Sequence, residues 1–211
     1  PAVEPKSDPV PAAGGLIEAV HSGSLLLNLR PRYEYVEQDS RAEQANALTM
    51  RSLIGWETRP YRGISLLLQG INVSRLGVDD FNDNPAKIAS SAFPLVPDPD
   101  ISDINQLYVD YRTLPEMRLR LGRQVIKLAN NRMVANGEFR QIMQVFDGAS
   151  ALVQPADKLA IHLSHLSRVR NALGRHRPTK LTLLHAEYRY ATQSSASAYS
   201  YFQDQPETGS A

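Results

Sequence analysis

The stretch SLLLNLRPRYEYV, from Ser24 to Val36, decides the fold of this chain. Its large apolar side chains share one parity, and most of its charged or amide side chains share the other. The apolar set is Leu25, Leu27, Leu29, Tyr33 and Tyr35; the polar set is Asn28, Arg30, Arg32 and Glu34. Because successive side chains of a strand point to opposite faces, this period of two predicts a β-strand with one apolar and one charged face.

The same alternation returns along the rest of the chain. It is clear from Leu48 to Glu57, although Ser52 and Leu53 depart from their faces, and from Ile64 to Gln69, where Leu67 departs. The connection from Thr58 to Gly63 resembles a hairpin turn. Further strands are predicted at Gln106–Tyr111, Arg118–Leu121, Gln144–Leu152, Lys158–Leu166, Leu181–Tyr190 and Ser197–Phe202. The sequence therefore predicts an all-β fold of eight or nine antiparallel strands.

Two segments stand apart from this pattern. Residues 1–15 are rich in proline and glycine and are predicted to form a flexible lead-in. Residues 74–103 are rich in Asp, Asn and Pro and are predicted to form a long loop, because connections in compact domains are usually about 4–6 residues long. The barrel domain would then occupy residues 16–211.

Composition limits the possible functions. The chain carries 23 Lys and Arg against 22 Asp and Glu, a net charge of +1, so no whole-protein field would attract nucleic acid. There is no cysteine, which excludes thiolate chemistry and disulfides. No apolar run approaches the roughly 20 residues of a membrane-spanning helix. The first residues lack a basic and apolar leader, so we expect a signal peptide to be absent or removed.

Strand length and aromatic placement favour a membrane barrel over a soluble sandwich. Several segments reach the ~9–11 residues that an oblique crossing of a bilayer requires. Aromatic residues lie near the strand ends, as interfacial girdles do. They are Tyr33, Tyr35, Trp56, Tyr61, Tyr111, Tyr188 and Tyr190. We therefore predict an antiparallel transmembrane β-barrel in the bacterial outer membrane, in contact with outer-membrane lipid.

The charged side chains that share the inward-facing parity also predict the width of the barrel. A barrel of about eight strands is filled by its own side chains, which leaves little room for several arginines. A wider, water-filled barrel would keep them solvated. We therefore expect the natural chain to be longer, with this sequence forming part of it.

Several blocks resemble the alginate-export-type porins of Gram-negative outer membranes, also called hydrocarbon-associated porins. They are Leu29–Val36, Asp79–Asp83, Asn105–Tyr111, Leu121–Gln124, and the group Asn131–Val134, Glu138–Gln141 and Gln144–Asp147. The resemblance runs from about Gly14 to the end. It implies a monomeric barrel of roughly twice this length, whose arginine-lined pore passes anionic or polar solutes such as alginate. The sequence departs from this family by stopping early, without a terminal aromatic residue.

The predicted pore-lining residues are the inward charged set. They are Arg30, Arg32, Glu34, Arg51, Asp110, Arg118, Arg120, Arg123 and Arg140. Guanidinium groups stay charged and bind carboxylates with two hydrogen bonds, so these arginines could form a selective ladder. The alternative is ordinary local pairing with Glu34, Glu57, Asp110 and Glu187.

Two positions leave alternatives open. Arg123 breaks the parity, so either a bulge beside Gly122 turns it inward or the strand ends there at the headgroup level. The segment Lys127–Gln144 has weak periodicity. It either folds inward as a constriction or forms an external loop.

The sequence contains little that indicates a metal site or a catalytic site. Asp80, Asn82 and Asn84 have the spacing that begins a calcium loop, but the rest of that motif is missing, so a solvated acidic loop is the expectation. On a strand, His162 and His165 would point to opposite faces. No nucleophile elbow, phosphate-binding glycine loop or catalytic carboxylate pair is evident. We predict neither an enzyme nor a bound metal or cofactor.

The predicted function is passive passage of anionic or polar solutes, including acidic polysaccharide, through an outer-membrane porin. The alternative is a soluble exported β-rich module that binds acidic polysaccharide. Solubility separates the two, because the outer apolar band of a barrel would aggregate in water.

Overall fold

The computed structural model describes residues 11–112, 114–128, 134, 136–192 and 194–204. One short helix, α1 (Leu16–His21), precedes nine strands. The strands are β1 (Ser24–Val36), β2 (Ala45–Glu57), β3 (Ile64–Asp80), β4 (Ile101–Tyr111), β5 (Met117–Gln124), β6 (Val145–Ala156), β7 (Leu159–Arg170), β8 (His176–Ala191) and β9 (Ser194–Asp204). A 3-10 helical turn occupies Pro85–Lys87.

All nine strands form one sheet in sequence order, and each pairs antiparallel with its neighbours. The predicted all-β antiparallel fold is therefore confirmed. Among the described residues, β1 and β9 are the edges of this sheet. Within the same part of the chain, no helix has the length and apolar character to cross a membrane.

The connections differ between the two ends of the sheet. At one end, here called the short-turn end, the strands are joined by 58–63, 112–116, 157–158 and 192–193. At the other end, here called the long-connection end, they are joined by 37–44, 81–100, 125–144 and 171–175. The two longest connections therefore emerge at the same end of the sheet.

The loop predicted at 74–103 is shorter in the structure. β3 continues to Asp80 and β4 begins at Ile101, so the connection covers 81–100. Arg75 explains part of the difference, because its guanidinium binds Asp83 at 2.6 Å and Asp100 at 3.3 Å. These ion pairs stabilise the polar ends of β3 and β4, which amino-acid composition alone assigns to a loop.

The start of the chain forms a helix ahead of the first predicted strand. Residues 16–21 form α1. Residues 11–15 are tied to the sheet, since the backbone N–H of Ala13 donates to the carbonyl of Pro60 and Arg59 donates to the carbonyl of Pro11. Residues 1–10 of the predicted lead-in lie outside the described residues.

The turn between β2 and β3 shows how local sequence ends a strand pair. Arg62 and Gly63 have positive φ angles of 50° and 78°. The backbone groups of Tyr61 and Ile64 exchange hydrogen bonds of 2.8 and 3.0 Å across them. Two consecutive left-handed residues give the turn that matches the twist of a hairpin, and glycine adopts this conformation without steric cost.

The two faces of the sheet differ in character. One face, here called the outer face, exposes large apolar side chains across several strands. Examples are Leu27, Ile54, Leu68, Leu107, Leu121 and Leu184, each at least 40% exposed. The opposite face, here called the inner face, carries Arg51, Asp110 and His185, which are buried.

The inner face is covered by the long connections, which also form the buried clusters. Ile142 and Met143 of 125–144 pack against Leu53, Ile71 and Val73 of the sheet. At its other end, Ile126, Leu128 and Val134 pack against Phe146, Leu166 and Leu183. Leu53 departs from the polar parity of β2 because it is one of the residues that this connection covers.

Candidate functional site

The guanidinium of Arg30 holds an inward-folded part of the 125–144 connection. This part, residues 136–144, is called the inward segment below. Arg30 on β1 donates to the carbonyl oxygens of Glu138 at 2.6 Å, Phe139 at 3.0 Å and Arg140 at 3.3 Å. The planar guanidinium of Arg30 therefore binds three backbone carbonyl oxygens of the inward segment.

Arg32, two residues further along β1 on the same face, also contacts the inward segment. It donates to the carbonyl of Phe139 at 3.1 Å, to Asp98 at 3.0 Å, and to Glu34. Its guanidinium carbon lies 4.5 Å from the centre of the Phe139 ring. Asp98 is almost fully buried and also accepts from the backbone N–H of Gln141 at 3.1 Å.

The inward segment contributes its own polar groups to this contact. Arg140 donates to Glu34 at 3.2 Å, and Gln141 donates to the hydroxyl of Thr49 at 2.9 Å and to the carbonyl of Arg30 at 3.3 Å. Of the two interpretations of Lys127–Gln144, the inward one therefore agrees with the placement of residues 136–144. Residues 129–133 and 135 lie outside the described residues.

The base of the inward segment is joined to Lys127. Lys127 donates to the Glu138 carboxylate, and Asn136 donates to the same carboxylate oxygen at 3.0 Å. These hydrogen bonds hold the pKa of Glu138 below its usual value, although partial burial acts in the opposite direction.

Arg51 lies beside Arg30, its register partner across β1 and β2. It donates to the side-chain carbonyl of Asn28 at 2.9 Å. Its Nε and Nη1 atoms are buried and donate to no other atom of the described residues. Arg51 thus retains donors that a polar group could use.

A second charged group lies nearer the short-turn end. The buried carboxylate of Asp110 on β4 accepts from Arg118 at 2.5 and 2.9 Å and from Arg120 at 2.7 and 2.9 Å. Arg120 also stacks over the Tyr108 ring at 3.6 Å. One carboxylate therefore accepts hydrogen bonds from two guanidinium groups.

A cavity of about 360 Å³ opens beside this group on the inner face. Its polar wall includes Arg118, Arg120, Lys127, His162, His185 and Glu187, and its apolar wall includes Ile126, Leu128 and Leu152. The beginning of the 125–144 connection thus faces the arginines of β5 across an open space. A polar solute of moderate size fits such a volume.

Arg123 belongs to a third group at the long-connection end. It binds both carboxylate oxygens of Asp147, at 2.7 and 3.1 Å, and donates to the carbonyl of Ile104 at 3.1 Å. Neither of the two expected placements fits fully. The register of β5 is continuous through Arg123 on both sides, without a bulge, yet the side chain is 16% exposed and not free at a strand end.

Arg170 completes the third group and is fully buried. It donates to Asp103 at 3.1 Å, to Asn105 at 2.7 Å and to the carbonyl of Met143 at 3.1 Å. Asp103 also binds His176 at 3.0 Å. A buried guanidinium is tolerated because its donors meet several acceptors.

The structure thus separates the nine predicted pore-lining residues into neighbourhoods. Arg30, Arg32, Glu34 and Arg140 meet at the inward segment, with Arg51 adjacent. Asp110, Arg118 and Arg120 form the second group. Arg123 lies apart from both. Glu34 and Asp110 pair with the arginines, as the local-pairing alternative expected.

Sequence reasoning missed several members of these groups. Asp98 and Asp103 fell in the predicted loop, Arg170 lay beyond the predicted end of its strand, and His176 lay before the predicted start of the next. All four are near the long-connection end, where the strands continue past the clear alternation. The placement of His162 and His185 on one face could have been inferred from parity alone.

The acidic residues of the long loop are used mainly as partners for arginine. Arg75 contacts Asp79, Asp83 and Asp100. Within the described residues, no group of three or more His, Cys, Asp or Glu side chains is arranged to hold a metal ion. His165 is exposed and contacts Thr182, away from His162.

Comparison with known proteins identifies the fold. No family model and no curated sequence matches the chain. Solved structures do match. OccAB1 of Acinetobacter baumannii has a TM-score of 0.68 at 15% identity over 93% of this chain, and the outer membrane protein OpdK of Pseudomonas aeruginosa has 0.64 at 14% over 87%. OccK2 (OpdF) of Pseudomonas aeruginosa, in complex with glucuronate, has 0.61 at 12% over 87%.

The chain spans about half the length of these proteins, covering 47%, 48% and 47% of them. The nine-stranded sheet therefore has the fold of part of a larger outer-membrane β-barrel. The predicted fold class is confirmed at this level. At such low identity the likeness concerns the fold alone.

Proposed function

We propose that this chain forms part of an outer-membrane channel through which anionic or polar solutes pass passively. The short turns would face the periplasm and the long connections the exterior, as is usual for bacterial outer-membrane barrels. A single chain would form each barrel, with lipid against its outer face. The fold shared with OpdK and OccAB1 supports this location.

The observation that carries the proposal is the inward segment lying on an arginine-rich face. Arg30 and Arg32 donate to backbone carbonyls of this segment, Arg140 of the segment donates to Glu34 of β1, and Arg51 is adjacent. A segment folded across the inner face of a wide barrel narrows the path for a solute. Positive groups beside that narrowing lower the energy of an anion more than that of a cation.

The cavity near Arg118 and Arg120 adds a second basic region toward the short-turn end. A carboxylate passing along the inner face would meet first the Arg30 region and then this cavity. Guanidinium groups bind carboxylates through paired hydrogen bonds, so each region offers a transient binding position.

Acidic sugars are the solute class that we propose. The neighbour OccK2 (OpdF) was solved with glucuronate, a sugar acid. The sequence resemblance to alginate-export-type porins points in the same direction, since alginate is a polymer of sugar acids. We propose single sugar acids and short acidic polysaccharides as candidate solutes.

The alternative function, a soluble exported module that binds acidic polysaccharide, is weakened by the outer face. Large apolar side chains such as Leu27, Ile54 and Leu121 are at least 60% exposed there. A continuous apolar surface of this kind would drive aggregation in water, and lipid covers it at no such cost.

Single-channel recording of the natural full-length protein in a planar bilayer tests the proposal. With a tenfold KCl gradient, the reversal potential is expected to show preference for chloride. Addition of glucuronate is expected to cause brief blockages, and neutral glucose at equal concentration serves as the control. Cation preference, or no conductance from protein shown to be folded, would overturn the proposal.

A further inference from the structure

The short helix α1 exposes its large apolar side chains instead of burying them against the sheet. Leu16, Ile17 and Val20 are 69%, 78% and 52% exposed, whereas the small Ala19 is buried. Because residues of a helix are about 100° apart, these three side chains form one continuous apolar strip. A helix in contact with water would normally expose its polar residues instead.

Hydrogen bonds hold α1 against the short-turn end of the sheet. The indole Nε1 of Trp56 donates to the carbonyl of Val20 at 2.9 Å. The backbone N–H of Arg59 donates to the carbonyl of Ala19 at 3.0 Å, and Arg59 forms an ion pair with Glu18 at 3.8 Å. The helix is therefore fixed in position with its apolar strip turned away from these contacts.

Trp56 connects this strip with the outer face. It shares the parity of Ile54, which is 60% exposed on that face. Three exposed tyrosines, Tyr111, Tyr188 and Tyr190, lie on strand ends at the same end of the sheet. Together with Trp56 they form an aromatic girdle of the kind found where a barrel meets lipid headgroups.

From this continuity we propose that α1 is an interfacial anchor, whose residues Leu16, Ile17 and Val20 insert into the headgroup and acyl-chain boundary of the membrane leaflet at the short-turn end. This inference rests on the proposed function, because it requires the outer face to lie in lipid. A short amphipathic helix in this position binds lipid through buried apolar area. Glu18, on the opposite side of α1, stays in water beside Arg59.

Site-directed fluorescence in lipid tests the proposal. These 211 residues contain no cysteine, so a single cysteine can be introduced at a chosen position and labelled with an environment-sensitive dye once any cysteine elsewhere in the full-length protein is replaced by serine. The variants are Ile17→Cys and Leu16→Cys on the strip, with Glu18→Cys as the matched control on the same helix. Leu27→Cys, in the middle of the outer face, reports whether the barrel itself lies in lipid. Each labelled full-length protein is reconstituted into vesicles that contain lipid brominated near the headgroup or deep in the acyl chain.

The expected result is quenching of the Ile17 and Leu16 probes by shallow bromine, at least about twofold stronger than that of the Glu18 probe. The Leu27 probe should be quenched best by deep bromine. If Leu27 is quenched and both strip probes match Glu18, the anchor is overturned and the channel proposal stands. If Leu27 is not quenched in folded protein, the membrane location itself fails.

Discussion

Arg140 of the inward segment donates to Glu34 of β1 at 3.2 Å, although 106 residues separate them in the sequence. This ion pair closes a contact in which Arg30 supplies hydrogen bonds to three carbonyl oxygens of the same segment. Both partners are partly buried, so solvent screens the pair less than it would an exposed one. The inward segment is therefore fixed to the sheet by side chains of β1.

Replacement of Arg30 by alanine is expected to free the inward segment. Hydrogen bonds to a charged group contribute about 1.5–3 kcal/mol each, so loss of even one such contribution raises the population of the locally open state, and with it the rate of amide exchange, roughly tenfold. Hydrogen exchange followed by mass spectrometry should show this acceleration for the amides of residues 138–141. Single-channel records should show larger current fluctuations.

Two variants control this experiment. Arg30→Lys keeps the charge but cannot reach three carbonyl oxygens with a planar fork, so intermediate exchange is expected. Arg168→Ala removes an exposed arginine on β7, away from the inward segment, and should leave exchange at 138–141 unchanged. Unaltered exchange in Arg30→Ala would show that the segment is held by other contacts.

Under the proposed channel function, Asp110→Asn is expected to increase the preference for anions. The carboxylate of Asp110 partly neutralises Arg118 and Arg120, and the substitution removes one negative charge beside the cavity. At an intermediate dielectric, one unit charge a few ångströms from a permeating ion changes its energy enough to raise the anion-to-cation permeability ratio at least roughly twofold. Reversal potentials in a KCl gradient measure this ratio.

The matched control for charge is Asp39→Asn, because Asp39 lies exposed in the connection between β1 and β2. It changes the net charge equally, far from the cavity, and should shift the reversal potential little, since salt screens distant exposed charges. Equal shifts in both variants would mean that Asp110 acts only through total charge.

Low pH is expected to break the contact between Lys127 and Glu138. Hydrogen bonds from Lys127 and Asn136 lower the pKa of Glu138, so the folded state favours its charged form. For a carboxyl with a lowered pKa, the stabilisation is present above the ordinary value of about 4.3 and is lost as pH falls through the folded value. An NMR titration of the labelled Glu138 carboxyl should give a midpoint below that ordinary value.

Lys127→Met should move this midpoint back toward the ordinary range, because it removes the strongest of the hydrogen bonds that lower the pKa. Lys180→Met serves as the control, since Lys180 pairs with Asp204 and not with Glu138. A Glu138 midpoint insensitive to Lys127→Met would contradict the contact.

The strands could be predicted from sequence because the outer and inner faces of the sheet carry opposite kinds of side chain at alternate positions. Leu25, Leu27 and Leu29 show this rule, and all three are exposed on the outer face. Leu53 breaks the rule for a tertiary reason, since Ile142 packs on it from a connection far along the chain. Alternation within one strand contains no information about such a partner.

The candidate site was less predictable for the same reason. Parity placed Arg30, Arg32 and Arg120 on one face, but it could not show that Arg30 binds backbone carbonyls of residues 138–140. Arg170 was missed because its strand continues past the clear alternation, where its guanidinium meets Asp103 and Asn105. Long-range ion pairs stabilise strand ends that local propensity leaves undefined.

Gly122→Ala is expected to destabilise the sheet strongly. Gly122 has a φ of 131°, and a Cβ atom there would lie 2.2 Å from the carbonyl oxygen of Leu107 and 2.8 Å from the Cα of Tyr108. Since both atoms belong to the backbone of β4, β4 and β5 would have to separate. Together with the unfavourable φ, this should lower the free energy of unfolding by about 2–4 kcal/mol.

Gly70→Ala is the matched strand control, because its Cβ would meet no atom closer than 3.9 Å. Urea unfolding of the full-length protein in lipid vesicles should show a lower midpoint for Gly122→Ala and a change of less than about 1 kcal/mol for Gly70→Ala. Equal midpoints for the two variants would mean that β4 and β5 do not approach each other as closely at Gly122 as the structure places them.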